Sequence, residues 1–281
     1  MPKSLMEQTG TVTHVRAADG HDIPAVLMTC GAERLIIMSH GITGDKDEEG
    51  VHYDFATESL NLGFDTVRFD FRGHGQSGMP PRDATVSGRI LDLMAIMRWA
   101  RSFEYKEVFH VATSFGASIT LLSAKRFSMK DFSAVVFWNP VIDYEHTFIR
   151  PRVEWARKFF NQEQLEELAF KEGTSIPKTN IVIGPQMAME LLNMHPQDTV
   201  WPSCLPLLIV HGDRDTCTPY EDVIEYCRAN PGVVKLHTIH GVDHGFDDKI
   251  REAYSVTLDW FAGYSGDSSI SGLSGVPHPA V

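Results

Sequence analysis

Val108-Phe109-His110-Val111-Ala112-Thr113-Ser114-Phe115-Gly116-Ala117-Ser118 is the stretch from which the fold can be read. An apolar run rich in β-branched and aromatic residues ends in the pattern small–x–Ser–x–Gly and passes straight into helix-forming residues. A serine carried on so sharp a strand-to-helix turn needs small side chains two positions before and after it, because larger ones would strike neighbouring backbone. Gly116 meets that demand fully, and Ala112 meets it with one methyl group in place of a hydrogen. Ser118 fails it, because Thr120 stands two positions beyond. Ser114 is therefore the candidate nucleophile. The competing reading is a serine that only caps the helix that follows.

Around this turn, short apolar runs alternate with longer stretches of helical spacing. Residues 11–15 and 23–28 flank Ala18-Asp19-Gly20 and read as an antiparallel hairpin. Residues 35–38, 66–71, 108–112, 134–138, 207–210 and 233–238 are nearly continuous apolar runs, as expected of strands covered on both faces of a parallel sheet. Ile90, Leu93, Met94 and Met97 recur on one face of 87–103, and 221–228 and 247–261 look similar. The alternation predicts an α/β fold with a mostly parallel, doubly wound sheet. Its core takes in residues 1–140 and 204–263. Between Val141 and Ser203 no strand run is visible. Two amphipathic stretches there, 147–170 and 185–194, predict a helical lid inserted over the sheet rather than a separate domain. Residues 264–281, rich in Ser, Gly and Pro, predict a loose tail.

Three further segments follow strand runs and carry polar chemistry. In Val210-His211-Gly212-Asp213-Arg214-Asp215, an acidic residue lies just past a buried strand, at the sheet edge where ligands of open α/β sheets bind. Such a carboxylate can orient an imidazole and stabilise its charged form. Two carboxylates compete; Asp215 is the better partner, and Asp213 reads as a turn former bonded to nearby backbone. In His240-Gly241-Val242-Asp243-His244-Gly245-Phe246, His244 stands 29 residues beyond Asp215, on a glycine-bounded loop. The spacing of His237, His240 and His244 would suit a metal on a helix. The glycines and the preceding β run place them on strand and loop instead, so no metal and no cofactor is expected. In Ser39-His40-Gly41-Ile42-Thr43-Gly44, a His-Gly turn can leave the next N–H free to face an oxyanion. The acidic run 45–49 after it reads as a solvated loop entering a helix. Phe69-Asp70-Phe71-Arg72-Gly73-His74-Gly75-Gln76-Ser77-Gly78 reads as a tight turn with a structural role.

Together these segments resemble the α/β-hydrolase superfamily over about residues 11–263. The resemblance rests on His40-Gly41, Asp70-x-Arg72-Gly73-x-Gly75-x-Ser77, Ala112-x-Ser114-x-Gly116, His211-Gly212-x-x-Asp215 and Asp243-His244, in that order. Its nearest branch is that of the feruloyl/cinnamoyl esterases. There a similar loop after the His-Gly pair precedes the first helix, and a helical lid sits between the sixth strand and the acid. The resemblance implies a Ser114/Asp215/His244 triad, an oxyanion hole from the N–H groups of Ile42 and Phe115, and hydrolysis of a small-to-medium acyl or aryl ester through an acyl-enzyme. Ala112, where glycine is usual, is also similar to acyl-transferring thioesterases. A thioesterase, acyltransferase or cyclase working on a carrier-bound acyl group is therefore the alternative. A peptidase lacks a dedicated amine-binding feature, and a catalytically silent binding protein has no need of all three triad side chains.

The candidates for touching substrate are His40, Gly41 and Phe246 near the sheet edge and Trp155, Phe159 and Met187 in the lid. Helical spacing makes most lid aromatics and methionines ordinary packing. Arg150, Arg152, Arg157 and Lys158 form a basic cluster, read either as a solvated helix face or as a dock for an acidic acyl carrier protein. The 281-residue chain as a whole is acidic, with formal net charge −12, which argues against nucleic acid and anionic membrane as partners. With 43% hydrophobic and 22% charged residues the composition is that of a globular protein. Four scattered cysteines predict reduced, partly buried thiols. No apolar signal core or membrane-length run is visible, so a cytoplasmic location is expected. Assembly is left open, a homodimer being one option.

Overall fold

The computed structural model describes residues 10–158, 173–175 and 182–265. Strands β1 (Thr11–Arg16), β2 (Asp22–Met28), β3 (Arg34–Ser39), β4 (Asp65–Phe69), β5 (Glu107–Thr113), β6 (Ala134–Trp138), β9 (Leu207–Gly212) and β10 (Val234–Ile239) form one eight-stranded sheet. Its order is β1-β2-β4-β3-β5-β6-β9-β10. The β1–β2 and β2–β4 pairs are antiparallel and all others parallel. This is the α/β arrangement that the sequence predicts.

The continuous apolar runs are explained by two cores, one on each face. Leu35 and Ile37 of β3, with Val135 and Phe137 of β6, belong to the core under helices α2 (Val86–Ala100) and α3 (Phe115–Arg126). Their neighbours Ile36, Met38, Val136 and Trp138 belong to the opposite core, under α1 (Val51–Asn61) and α7 (Ile250–Gly263). Successive side chains point to opposite faces, so a strand covered on both sides has no polar alternate. Helix α1 is hidden from hydrophobic patterning because its buried stripe is His52, Phe55, Ala56 and Ser59, half of it polar.

The stretch between β6 and β9 differs from expectation in two ways. It contains a short antiparallel ladder, Thr174–Ser175 (β7) with Val182–Ile183 (β8). Two-residue strands carry no periodicity to detect. Close approach fixes them: a Cβ on Gly184 would stand 1.8 Å from the Arg82 carbonyl oxygen, and one on Gly173 2.8 Å from that of Ile183. Residues 147–170 are also not one continuous helix. A π-helical turn, Glu145–Ile149, ends at Arg150 (φ −123°, ψ 71°), and a short helix α4 (Glu154–Arg157) begins beyond Pro151. Proline has no N–H for a helix and disfavours helical backbone in the residue before it. Residues 159–172, with Phe159, lie outside the described residues, as does most of the tail expected at 264–281.

Helix α5 (Pro185–Asn193) buries Met187, Ala188 and Leu191 against the α2/α3 core. Glu190 of the same helix accepts the N–H groups of Val86 at 2.5 Å and Ser87 at 3.3 Å. It thus satisfies donors at the start of α2 that have no partner within the helix. The chain between β9 and β10 forms α6 (Tyr220–Ala229). All four cysteines are free, and Cys30 and Cys204 are exposed rather than partly buried. Among the described residues no helix is long and apolar enough to cross a membrane.

Candidate active site

The parallel strands β3, β5, β6, β9 and β10 present their carboxyl ends at one edge of the sheet, and the loops leaving them converge. At the end of β5 the backbone turns so sharply that Ser114 adopts φ +51°, ψ −114°. A non-glycine residue in such a region costs on the order of 1–3 kcal/mol and persists only when its surroundings enforce it. Here they do: the Ser114 N–H donates to Trp138 O at 2.8 Å, and its carbonyl accepts from Val141 N at 3.0 Å. The hydroxyl makes no capping bond to α3, which removes the capping reading. A Cβ on Gly116 would lie 2.8 Å from the carbonyl oxygens of both Ser39 and His40, so the glycine is needed for α3 to enter against the end of β3.

The structure brings Ser114, Asp215 and His244 together. His244 Nε2 lies 3.1 Å from Ser114 Oγ, and His244 Nδ1 lies 2.8 Å from Asp215 Oδ2. Asp215 Oδ1 accepts from the N–H groups of Cys217 (2.7 Å) and Thr218 (2.8 Å), and Oδ2 also meets Thr218 Oγ1 (2.8 Å) and His211 Nε2 (3.1 Å). Its side chain is fully buried. Burial opposes ionisation, but the two imidazoles and the donated hydrogen bonds win, holding the carboxyl well below its ordinary range. For His244 burial disfavours the imidazolium, yet Asp215, assisted by Glu48 and Asp243, raises it above its ordinary value. Asp213 lies elsewhere: its carboxylate takes the Gly241 N–H at 2.6 Å and pairs with His240 at 2.7 Å. The three histidines that suggested a metal face three different carboxylates, His237 turning to Glu252, His240 to Asp213 and His244 to Asp215.

Two described clusters have ligand atoms close enough for a cation. One, Asp215–Cys217–His244, coincides with the serine site. The other, Asp143–His146–Asp222, has Arg152 Nη1 3.4 Å from an Asp222 oxygen, and a guanidinium there opposes a second cation.

The loop after β3 is held by neutral histidines. Phe71 N–H donates to His40 Nε2 at 3.0 Å, and His40 Nδ1 lies 2.8 Å from the Gly41 carbonyl, which places its proton on Nδ1. Burial pushes His40 down to about 3. His74 Nε2 sits 2.7 Å from the Ile42 carbonyl, and burial, followed by Arg89 nearby, lowers that ring too. The Gly41 carbonyl, which shares a peptide unit with the Ile42 N–H, is thus held by His40, and the following peptide unit is held by His74. The N–H groups of Ile42 and Phe115 donate to no described residue. The turn 69–78 thus supports the site through His74, while Asp70 takes the N–H groups of Lys46 and Gln76.

The acidic run 45–49 is not a solvated loop. Arg68, buried in the sheet, pairs with Asp47, and Glu48 turns its carboxyl inward to accept the Gly41 N–H at 2.8 Å. Sequence reading also missed Asn139, which follows β6 at φ +42°. Its Oδ1 accepts from Gly212 N at 2.9 Å and its Nδ2 donates to the His244 carbonyl. The available signal was an Asn-Pro pair directly after a strand.

The substrate candidates divide. His40 is buried and committed to the bonds above, and Gly41 packs against Ser114: a Cβ on it would be 3.3 Å from Ser114 Cβ. Trp155 and Met187 join the α2/α3 core. Phe246 does not join them; it lies in the opposite core with its ring edge-on to Trp138. In the basic cluster, Arg150 pairs with Glu145, Arg152 with Asp222 and Lys158 with Glu154, while Arg157 donates to the Pro151 carbonyl.

The family model described as Serine aminopeptidase, S33, matches residues 31–178, more than half of the chain. The chain belongs to the S33 serine aminopeptidase family. Solved structures similar to this S33-family chain share its α/β-hydrolase fold. Est1E from Butyrivibrio proteoclasticus, with ferulic acid bound, superimposes with a TM-score of 0.75 at 21% identity, over 89% of this chain and 97% of that one. The α/β hydrolase GrgF from Penicillium sp. sh18 gives 0.72 at 18% identity, over 90% and 96%. The Pyrococcus furiosus esterase Pf2001 gives 0.69 at 19%, over 91% and 90%. No curated protein matches the sequence significantly.

Proposed function

We propose that this S33-family hydrolase cleaves carboxylic esters through an acyl-enzyme on Ser114. The observation that carries the reading is the hydrogen-bonded chain from Ser114 Oγ through His244 to Asp215, on a serine with enforced positive φ. Ser114 Oγ attacks the ester carbonyl while His244 Nε2 takes its proton, and the oxyanion that forms is held by the N–H groups of Ile42 and Phe115. The imidazolium then protonates the departing alkoxide, leaving an acyl-serine and an alcohol. Water, deprotonated by the same imidazole, attacks the acyl carbon; the acyl–Oγ bond breaks, the imidazolium returns the proton to Ser114 Oγ, and the acid is released. Asp215 fixes the tautomer with the proton on Nδ1 and stabilises the imidazolium at both stages.

The test is intact-mass analysis after incubation with a fluorophosphonate, on wild type and Ser114→Ala in parallel. One adduct on wild type and none on the variant is expected; a folded wild type that gains no adduct overturns the reading. Matched aryl esters, alkyl esters and thioesters then separate ester hydrolysis from thioester chemistry.

A further inference from the structure

Glu48 stands in no assigned role, yet it touches the backbone on which the proposed chemistry depends. Its Oε2 takes the Gly41 N–H at 2.8 Å. A Cβ built on Gly41 would lie 3.1 Å from Glu48 Oε1 and 3.3 Å from Ser114 Cβ, and one on Gly44 would lie 2.5 Å from Oε2. Both loop glycines therefore make room for this carboxyl, and Gly41 is sandwiched between it and the nucleophile. The backbone that delivers it is strained: Glu48 and Glu49 have φ +46° and +55°, followed by Gly50 at +102°. Consecutive non-glycine residues in the left-handed region are held there only where the surroundings require it. A glutamate on a solvated surface loop has no such requirement.

We propose that Glu48 is a positioning residue for acyl transfer, whose carboxylate holds the Gly41 N–H so that the next amide, Ile42, keeps its aim at the oxyanion, and whose charge joins that of Asp215 in favouring the imidazolium of His244. The inference rests on the proposed serine mechanism. The groups that face Glu48 are the Gly41 N–H and the His244 ring, which favour its charge, and the carboxylates of Asp45 and Glu49, which oppose it. Burial is the largest influence and pushes the carboxyl up to about 7. The nearby cation Lys46 is directed to Asp70 and Gln76 instead.

The two parts of the role separate in two variants. Glu48→Gln keeps an oxygen for the Gly41 N–H but removes the charge; Glu48→Ala removes both. The measurement is the rate of Ser114 labelling by a fluorophosphonate between pH 5 and 9, by intact mass, with kcat and KM for a small aryl ester and circular dichroism to check folding. The expected result for Glu48→Gln is an acid limb moved to lower pH by roughly half a unit or more, with KM unchanged, because an imidazole that loses a neighbouring anion gives up its proton more readily. Glu48→Ala is expected to lose kcat towards the ~10²–10³ of a missing oxyanion donor, again at little change in KM. A Glu48→Gln profile that superimposes on wild type overturns the inference even if Glu48→Ala unfolds. Wild type that takes no label at any pH overturns the serine mechanism itself, and is told apart by that blank.

Discussion

The side-chain amide of Asn139 donates to the main-chain carbonyl of His244, while its oxygen accepts from Gly212. One fully buried residue after β6 thereby ties the loop carrying the imidazole to the end of the strand that leads to Asp215. Bonds of this kind fix where the imidazole sits without taking part in proton transfer. Asn139→Ala is expected to strand the buried Gly212 N–H, costing about 1–3 kcal/mol of stability. It is also expected to lower kcat more than it changes KM. Thermal unfolding and steady-state kinetics on an aryl ester check both; a variant with unchanged kcat would mean that the His244 loop is held adequately without it.

The two carboxylates of the loop after β9 differ sharply in environment. Asp215 is buried and bonded to two imidazoles, whereas Asp213 is exposed and bonded to His240 and Gly241. In the proposed mechanism Asp215 orients the imidazole, so Asp215→Asn should lower kcat by about 10⁴, the loss that follows removal of the orienting carboxylate of a serine triad. Asp213→Asn should leave most of the activity. Comparing the two kcat values decides the assignment, and the opposite ranking would reverse it.

Gly116 has a steric prediction of its own. In Gly116→Ala the new methyl meets two backbone carbonyl oxygens, which cannot rotate away as a side chain can. A destabilisation of about 1–3 kcal/mol is expected from such overpacking. Loss of fluorophosphonate labelling should accompany it, because α3 must shift and carry the Phe115 amide with it. Urea unfolding and intact mass report the two effects separately.

Acidification should act through Asp215 with a definite sign. Its folded carboxyl titrates below the ordinary range, so it contributes stability that is present above the unfolded value of about 4 and is lost as pH falls through the folded value. His244 runs the other way: its pKa is raised, so its contribution is complete below about 6.5 and is lost as pH rises through the folded value. In the proposed mechanism neutral His244 is the base, so the acid limb of kcat/KM should lie above about 6.5. Asp215→Asn should bring that limb down and flatten the acid loss of stability, measured as urea midpoints from pH 3 to 8.

Removing the Glu190 carboxylate should loosen two helices at once. Glu190→Ala leaves the N–H groups of Val86 and Ser87 at the start of α2 without their acceptor, at a cost of about 0.5–2 kcal/mol by analogy with lost caps. Faster amide exchange in both α2 and α5, against unchanged exchange in α7, is the expected signature. Exchange confined to α5 would show that α2 caps itself.

The strands of the sheet and the sharp turn at Ser114 were legible because each is local. Apolar runs mark the doubly covered strands, and the need for Ala112 and Gly116 follows from one turn. Ser114, Asp215 and His244 could be named because each stands directly after such a run. His74 and Asn139 could not, for their meaning lies in partners far along the chain: Asn139 meets His244 across 105 residues and His74 meets Ile42 across 32. Charge misled at 45–49, where an acidic run looks solvated until Arg68 and the Gly41 N–H are found beneath it. The break at Arg150–Pro151 was readable in principle, but the flanking apolar spacing outweighed the proline.

The strand order has a further consequence at its two ends. Among the described residues β1 and β10 are the outermost strands, and an outermost strand offers unpaired N–H and C=O groups to any other strand that comes alongside. Both are guarded by polar side chains: His14 and Arg16 project from β1, and Lys235 and His237 from β10, with His14 held to Asp22 and His237 to Glu252. A second molecule joining either edge would have to desolvate those groups without replacing their partners. Polar, partly paired side chains on both outermost strands thus oppose edge-to-edge pairing of this ladder with a second molecule.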